Sequence, residues 1–331
     1  MEFFPLLPFP APIRQYPKGG DFLYTGISYG EYLDTPQCRV SIDNVRMKFS
    51  YKYRNYDFGT HEAVCTIDLL SERLDNMYFD NCEVNWQQCD FFKIGNYART
   101  CKLSGIDPLH GDWSCAVMFG RYTFDNSCKL VAPEIVFDFN PNKVPHDRYT
   151  QVINILKDSC IDVSINRYDV AFDFPIPRDH VTLIPNDRQR YQLIREAETG
   201  VTEYQGKRSH HKAMKLYDKM KESALDVPVT RCEITIDGDY VEPVELLFPE
   251  LVVLGDLQMD MGFADLPFQV VACLLHPELI PILKSKVDYK TWKKYSGMIA
   301  THGQRKLAPD NWNRVDQYLS AWFTRLLGGV A

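Results

Sequence analysis

The sequence predicts an α+β fold in which a central, largely antiparallel β-sheet is flanked by helices and followed by a helical C-terminal region. Between residues 38 and 242, most segments alternate apolar and polar residues, which is the period of a β-strand. Two segments in this part have instead the apolar spacing of an amphipathic helix. From Pro243 onward the helical spacing predominates. The chain is therefore predicted to have three parts, 1–37, 38–242 and 243–331.

The first part, residues 1–37, is rich in Pro, Gly and Tyr and predicts an irregular N-terminal arm. The second part begins with strands and helices that precede the prolines at 175 and 177. They are strands at Val40–Tyr53, Asp90–Leu103, Ala116–Phe124, Lys129–Phe139 and Asp162–Phe174, and helices at His61–Asp75 and Arg148–Cys160.

The elements after Pro177 follow the same reasoning. In the second part they are a β-ribbon at Arg188–Tyr204, a strand at Ala213–Asp218, a short helix, and a strand at Thr230–Asp237. In the third part the predicted helices are Leu266–Leu275, Ile280–Lys286, Lys290–Ile299 and Trp312–Leu327. The strands Asp162–Phe174, Ala213–Asp218 and Thr230–Asp237 are expected to lie side by side.

Composition restricts the classes of function. The chain of 331 residues has a net charge of −7, whereas a purely electrostatic nucleic-acid binder is usually basic. Any DNA binding must therefore use local patches. None of the ten cysteines forms a C-x-x-C pair, and no apolar run is long enough for a membrane span. The apolar start contains prolines and no preceding basic residue, unlike a signal peptide. We expect a cytoplasmic protein with reduced thiols and no membrane partner.

One tyrosine, Tyr217, lies within a dense run of positive charge. The cations of the run are Lys207, Arg208, Lys212, Lys215, Lys219 and Lys221. A tyrosine phenol has a pKa of about 10, and nearby cations stabilise the phenolate and neutralise a phosphate that it attacks. The run alone favours a solvated surface strand that leads into a helix.

Carboxylates on two of the predicted strands are a second candidate site. Alternation places Asp169 and Asp173 on one strand face, with Arg167 and Ala171, and places Glu233 on the same face as Arg231. Such carboxylates suit Mg²⁺ or Mn²⁺. The alternative is a structural ion-pair network among Arg167, Asp169, Arg231 and Glu233.

Several of these segments resemble those of rolling-circle plasmid replication initiators. The tyrosine motif is Tyr204-Gln205-Gly206-Lys207-Arg208-Ser209, followed by Lys215-Leu216-Tyr217-Asp218-Lys219 and Glu222. In the expected order, Ser41–Val45, Asn166–Asp173 and Arg231–Ile234 are similar to the family's first, acidic and last strands. The likeness spans Val40 to Asp239. Members commonly have arginine at the position of Lys215, and the adjacent His210 and His211 do not form the histidine metal motif of related nickases.

This resemblance implies a relaxase-like nickase core and a function. Tyr217 is then the nucleophile that nicks and rejoins one DNA strand at a replication origin, and Lys219 and Arg231 assist it by contacting phosphate. Asp169, Asp173 and Glu233 hold the divalent metal, and Lys207, Arg208, Lys212 and Lys215 bind DNA. The implied partners are a single-stranded origin hairpin, a second copy of the chain and a host helicase. A phage replication nickase, an element relaxase and a non-catalytic origin-binding protein remain alternatives.

A second basic region lies in the predicted helical part of the chain. Its residues are Lys284, Lys286, Lys290, Lys293, Lys294, Arg305 and Lys306. Two interpretations are open, a solvated helical surface and a DNA contact.

Overall fold

The computed structural model describes most of the chain. The described residues are 31–35, 37–51, 70, 72–76, 82–88, 97–107, 111–120, 123–124, 130–131, 134–186, 189–196, 200–207, 211–253, 266–302, 305–309 and 311–328. The greater part of the predicted N-terminal arm and of the helix predicted at His61–Asp75 lies outside them.

Strands form most of the first two-thirds of the described chain, and two short strands follow later. In chain order they are β1 (Tyr32–Asp34), β2 (Arg39–Tyr51), β3 (Cys82–Gln88), β4 (Tyr97–Asp107), β5 (Gly111–Gly120), β6 (Thr123–Phe124), β7 (Leu130–Val131), β8 (Glu134–Phe139), β9 (Cys160–Phe174), β10 (Val181–Leu183), β11 (Tyr191–Glu196), β12 (Gly200–Gln205), β13 (Ala213–Asp218), β14 (Thr230–Tyr240), β15 (Leu251–Val253) and β16 (Arg305–Leu307).

Helices connect and cover these strands. They are α1 (His146–Ser159), α2 (Lys219–Glu222), α3 (Phe268–Leu275), α4 (Ile280–Lys286), α5 (Tyr289–His302) and α6 (Trp312–Leu327). None of the described helices is both long and apolar enough to cross a membrane.

The main sheet has eleven strands, and every described pairing in it is antiparallel. Its strand order is β11-β12-β13-β14-β9-β2-β8-β5-β4-β3, with β1 paired to β2. The predicted α+β class with a large antiparallel sheet is therefore confirmed. The tyrosine strand β13, the last motif strand β14 and the acidic strand β9 are neighbours, as the sequence predicts.

Alternation gives these central strands one apolar and one polar face. Side chains such as Val170, Phe172, Cys232 and Leu216 enter the main hydrophobic cluster. Helices α1 and α6 pack on this side, and the ring of Phe323 from α6 meets Tyr168 of β9 edge to face. Because successive residues of a strand point to opposite sides, the residues between them form a polar face on the other side of the sheet.

The chain after Pro243 differs from the predicted all-helical pattern. Strands β15 and β16 pair there and join β10 in a second, three-stranded antiparallel sheet. Strands of three residues are too short to produce a periodic signal, so sequence reasoning missed them. Helices α3, α4 and α5 share a second hydrophobic cluster, whereas α6 belongs to the main one. The domain boundary at residue 243 stays a prediction.

Most predicted elements between residues 148 and 327 are confirmed within a few residues. The strand predicted at Asp162–Phe174 begins at Cys160, and the helices predicted at Ile280–Lys286 and Trp312–Leu327 have those bounds. Differences are larger earlier in the chain. Strand β3 was not predicted, and the described part of the strand predicted at Asp90–Leu103 lies in β4, while its first residues lie outside the described chain.

Candidate active site

The polar face of the main sheet brings the sequence-predicted residues together. Residues directly opposed across neighbouring strands project to the same side. Tyr217 is opposed to Arg231, and Arg231 to Asp173. One step along the strands, Lys215 is opposed to Glu233. The register therefore places the tyrosine, the two cations and both carboxylates on one surface.

Tyr217 and Glu233 form the central contact of this surface. The Tyr217 hydroxyl donates a hydrogen bond to Glu233 Oε1 over 2.5 Å, and the tyrosine is only 4% exposed. Lys215 Nζ lies 3.7 Å from the centroid of the tyrosine ring and 3.8 Å from Glu233 Oε2. A cation over the ring face is attracted by its quadrupole. Tyrosine, carboxylate and ammonium therefore form one contacting group.

Burial shifts the pKa of both partners. It raises the pKa of the Tyr217 phenol, and the Glu233 carboxylate raises it further. Burial, together with the negative charge of Asp43, raises the pKa of Glu233 to about 7. A carboxyl group with a pKa near neutrality can accept a proton and release it again, which is the property required of a general base.

Arg231 is buried among carboxylates. Its Nε and Nη2 donate to the two oxygens of Asp173 over 2.5 and 2.7 Å, and Nη1 donates to Asp43 over 3.0 Å. Arg231 and Asp173 are each 1% exposed. This is the bidentate geometry that favours arginine at buried ion pairs. The sequence-based assignment of Arg231 as a phosphate contact stays a prediction.

Lys219 is the other buried cation of the site. It begins α2, is 2% exposed, and its Nζ donates to Glu222 Oε2, three residues further on, over 2.5 Å. Burial and the nearby Arg231 charge lower the pKa of Lys219. Asp218 fixes the start of α2 by accepting a hydrogen bond from the backbone N–H of Lys221.

The predicted metal carboxylates are on one face, but two of them are paired with arginines. Asp169 accepts hydrogen bonds from Arg167 over 3.4 and 3.5 Å, and Asp173 binds Arg231. Burial raises the pKa of Asp169 against the influence of Arg167. Within the described residues, no three His, Cys, Asp or Glu side chains form a group that could hold a metal ion.

Sequence reasoning assigned no role to Asp43, although it lies in the quoted first-strand segment. It projects from β2 toward Arg231 and accepts a long hydrogen bond of 3.4 Å from Asn142. Burial opposes its ionisation, yet Arg231 and Lys219 lower its pKa to about 2. Alternation was the available signal, because Val40 and Ile42 enter the core and thereby direct Asp43 to the polar face.

The cationic run divides between two places. Lys215 and Lys219 lie in the site, whereas Lys207 and Lys212 lie in the connection between β12 and β13. Lys207 is exposed, and Lys212 adopts a left-handed backbone conformation with φ of 59°. Arg208 and His210 lie outside the described residues. His211 is exposed, 3.4 Å from the hydroxyl of Tyr240, and makes no described contact with Tyr217.

Comparisons with known proteins give distant structural similarity only. No protein-family model matches the chain, and no curated protein sequence matches it. Among solved structures, the chain is similar to the rolling circle replication initiator protein from Geobacillus stearothermophilus, with 14% sequence identity and a TM-score of 0.33. The match covers 60% of this chain and 74% of that chain.

Proposed function

We propose that this chain is a replication initiator of a small plasmid or mobile element that nicks and rejoins one DNA strand at the origin. The main sheet would then be a relaxase-like nickase core. The observation that supports this most directly is the hydrogen bond from Tyr217 to Glu233, beside Lys215, on strands whose sequence resembles the family's tyrosine motif. A phage replication nickase or an element relaxase would use the same chemistry.

The proposed reaction is a single displacement at phosphorus. Tyr217 Oη attacks a phosphodiester in line, and the phenol proton passes to the Glu233 carboxylate that already accepts its hydrogen bond. The Oη–P bond forms as the bond from phosphorus to the 3′ oxygen breaks. The 3′ oxygen takes a proton from water, and the released 3′ hydroxyl primes synthesis. The 5′-phosphotyrosine conserves the bond energy, so reversal rejoins the strand.

Lys215 and Lys219 are the proposed counter-charges for the phosphate. Lys215 is one-third exposed and lies over the attacking ring, so it can reach a phosphate placed against Tyr217. Lys219 is buried beside Glu222, and its charge would act from beneath the site. Positive groups fixed where charge develops stabilise the transition state without reorganising.

A divalent metal, Mg²⁺ or Mn²⁺, remains part of the proposal. Asp169 and Asp173 would each have to release an arginine to bind it. Asp43, whose negative charge raises the pKa of Glu233, would likewise have to release Arg231 before it and Glu233 could share a cation. When bound there, the metal would polarise the phosphodiester as a Lewis acid.

We predict that nicking depends on a divalent cation. Supercoiled DNA that carries the cognate origin would be incubated with the protein and Mg²⁺ or Mn²⁺, and then with EDTA. We expect EDTA to slow nicking by about 100-fold or more, since a Lewis acid contributes several kcal/mol to such a transfer. Excess Mn²⁺ added after EDTA should restore the rate. Undiminished nicking in EDTA would remove the metal from the mechanism.

A second candidate, a non-catalytic origin-binding protein, is favoured by the burial of Tyr217 and the pairing of Asp173 with Arg231. A tyrosine whose only role is to donate a hydrogen bond to the Glu233 carboxylate would have the same contacts. The same incubation separates the two candidates. Binding to the origin without nicking, with or without the metal, would favour the second candidate.

The remaining parts of the proposal concern partners and location. A nicked duplex must be unwound before synthesis, so a host helicase is the proposed partner, and the resemblance also implies a homodimer.

The six cysteines described as free thiols are all buried. Thiols of this kind stay reduced in the cytoplasm, which is the compartment we propose.

A further inference from the structure

Helices α4 and α5 carry a basic surface well away in sequence from the tyrosine motif. Only Val287 and Asp288 separate the two helices. The Asp288 carboxylate accepts hydrogen bonds from the backbone N–H groups of Lys290 and Thr291 and from the Thr291 hydroxyl, over 2.9, 3.1 and 2.6 Å. Because these bonds satisfy first-turn donors, the start of α5 is fixed in place.

The inner and outer sides of α5 have different roles. Trp292, Ile299 and Ala300 are buried in the second hydrophobic cluster with residues of α3 and α4. On the outer side, Lys290, Lys293, Lys294 and Gly297 are exposed and follow the i, i+3, i+4, i+7 spacing of one helix face. We call these four residues the α5 outer face. Its three lysines form no ion pair with a described residue.

Gly297 is the unexpected member of this face. After proline, glycine is the least favourable residue in a helix interior. A Cβ atom added at Gly297 would meet nothing within 4 Å, so packing within the described chain does not require glycine there. Close approach of a ligand to the helix backbone is a reason for glycine at such a position.

We propose that the α5 outer face binds duplex DNA at the origin, whereas Tyr217 acts on single-stranded DNA. The inference rests on the proposed function for the identity of DNA as substrate. A rigid helix fits the major groove, and lysines spaced along it meet phosphates on the groove walls. Unpaired bases bind by stacking on exposed aromatic rings, and the α5 outer face has none between its lysines. Tyr289 lies only at the edge of this face. Gly297 lets the helix approach the duplex closely.

The whole chain is needed for the test, because α6 contributes to the main hydrophobic cluster and β16 to the second sheet. The test variant replaces Lys290, Lys293 and Lys294 with glutamine. A matched control replaces three other exposed cations with glutamine, namely Lys102 on β4, Arg195 on β11 and Arg314 on α6. Both variants lose three positive charges, from three lysines in the test variant and from one lysine and two arginines in the control, so the change in net charge is matched while the positions differ.

Binding of a labelled duplex that carries the origin would be measured over a range of salt concentrations. We expect the α5 variant to bind at least about tenfold more weakly than the control variant, and its salt slope to fall by about 2–3, one step per lost phosphate contact. Equal losses in the two variants, or wild-type binding by the α5 variant, would overturn the proposal. A loss confined to single-stranded DNA would overturn it as well.

Gly297→Ala provides a second test whose two readouts move in opposite directions. We expect a higher thermal unfolding midpoint, because alanine favours the helix, together with weaker duplex binding. Higher stability with unchanged binding would contradict close approach at Gly297. Cleavage of a single-stranded origin oligonucleotide separates this proposal from the proposed function. If the wild type binds duplex through α5 but cleaves nothing, the proposed function fails and this inference stands.

Discussion

Replacing Tyr217 with phenylalanine is expected to abolish nicking of origin DNA and the covalent protein–DNA adduct. The change removes only the hydroxyl that donates to Glu233 and retains the ring beneath Lys215. The buried ring still fills its place, so the fold should persist. The lysines proposed to neutralise phosphate remain, so origin binding should persist too. Loss of a covalent nucleophile should lower the rate by at least about 1000-fold.

Tyr204→Phe is the matched control for this prediction. Tyr204 lies on the neighbouring strand, opposed to Lys215 in the register, and the variant loses the same single oxygen. It should nick at close to the wild-type rate. Peptide mapping of the adduct formed with a single-stranded origin oligonucleotide identifies the attacking residue. An adduct on another residue, or one that persists in Tyr217→Phe, would contradict the assignment of Tyr217.

Strand periodicity explains how much of this site was predictable. In β9, β13 and β14 every second residue enters the core, so the remaining residues, including Asp169, Asp173, Tyr217 and Glu233, must share the opposite side. The adjacency of the three strands was also expected. The Lys219–Glu222 pair needs only local spacing, because residues three apart on a helix are neighbours.

The sequence did not predict which side chains pair across neighbouring strands. Alternation assigns a residue to a face, but it does not say which charges meet there. The sequence placed Arg231 with Glu233, whereas in the structure its guanidinium binds Asp173 and Asp43. Those contacts depend on the register of β14 against β9 and on the position of β2, which no single segment encodes. For the same reason Asp43 was missed.

Arg231→Met is expected to destabilise the protein strongly, by about 3–5 kcal/mol in the free energy of unfolding. The guanidinium binds both oxygens of Asp173 and one oxygen of Asp43, and Asp173 is fully buried. Methionine matches much of the apolar stem but leaves the buried Asp173 and the half-buried Asp43 without the guanidinium. Urea unfolding measures the change, and Arg195→Met, at an exposed cation on β11, is the control that should cost less than about 1 kcal/mol.

The same variant decides between the two roles that Arg231 has been given. If the arginine chiefly holds the sheet face together, then Arg231→Met with Asp173→Leu should recover part of the lost stability, because an apolar pair replaces a buried ion pair. If it chiefly contacts the phosphate, Arg231→Met should unfold like the wild type and yet nick far more slowly. Since the guanidinium is 1% exposed and donates hydrogen bonds to both oxygens of Asp173 and to Asp43, we expect the first result.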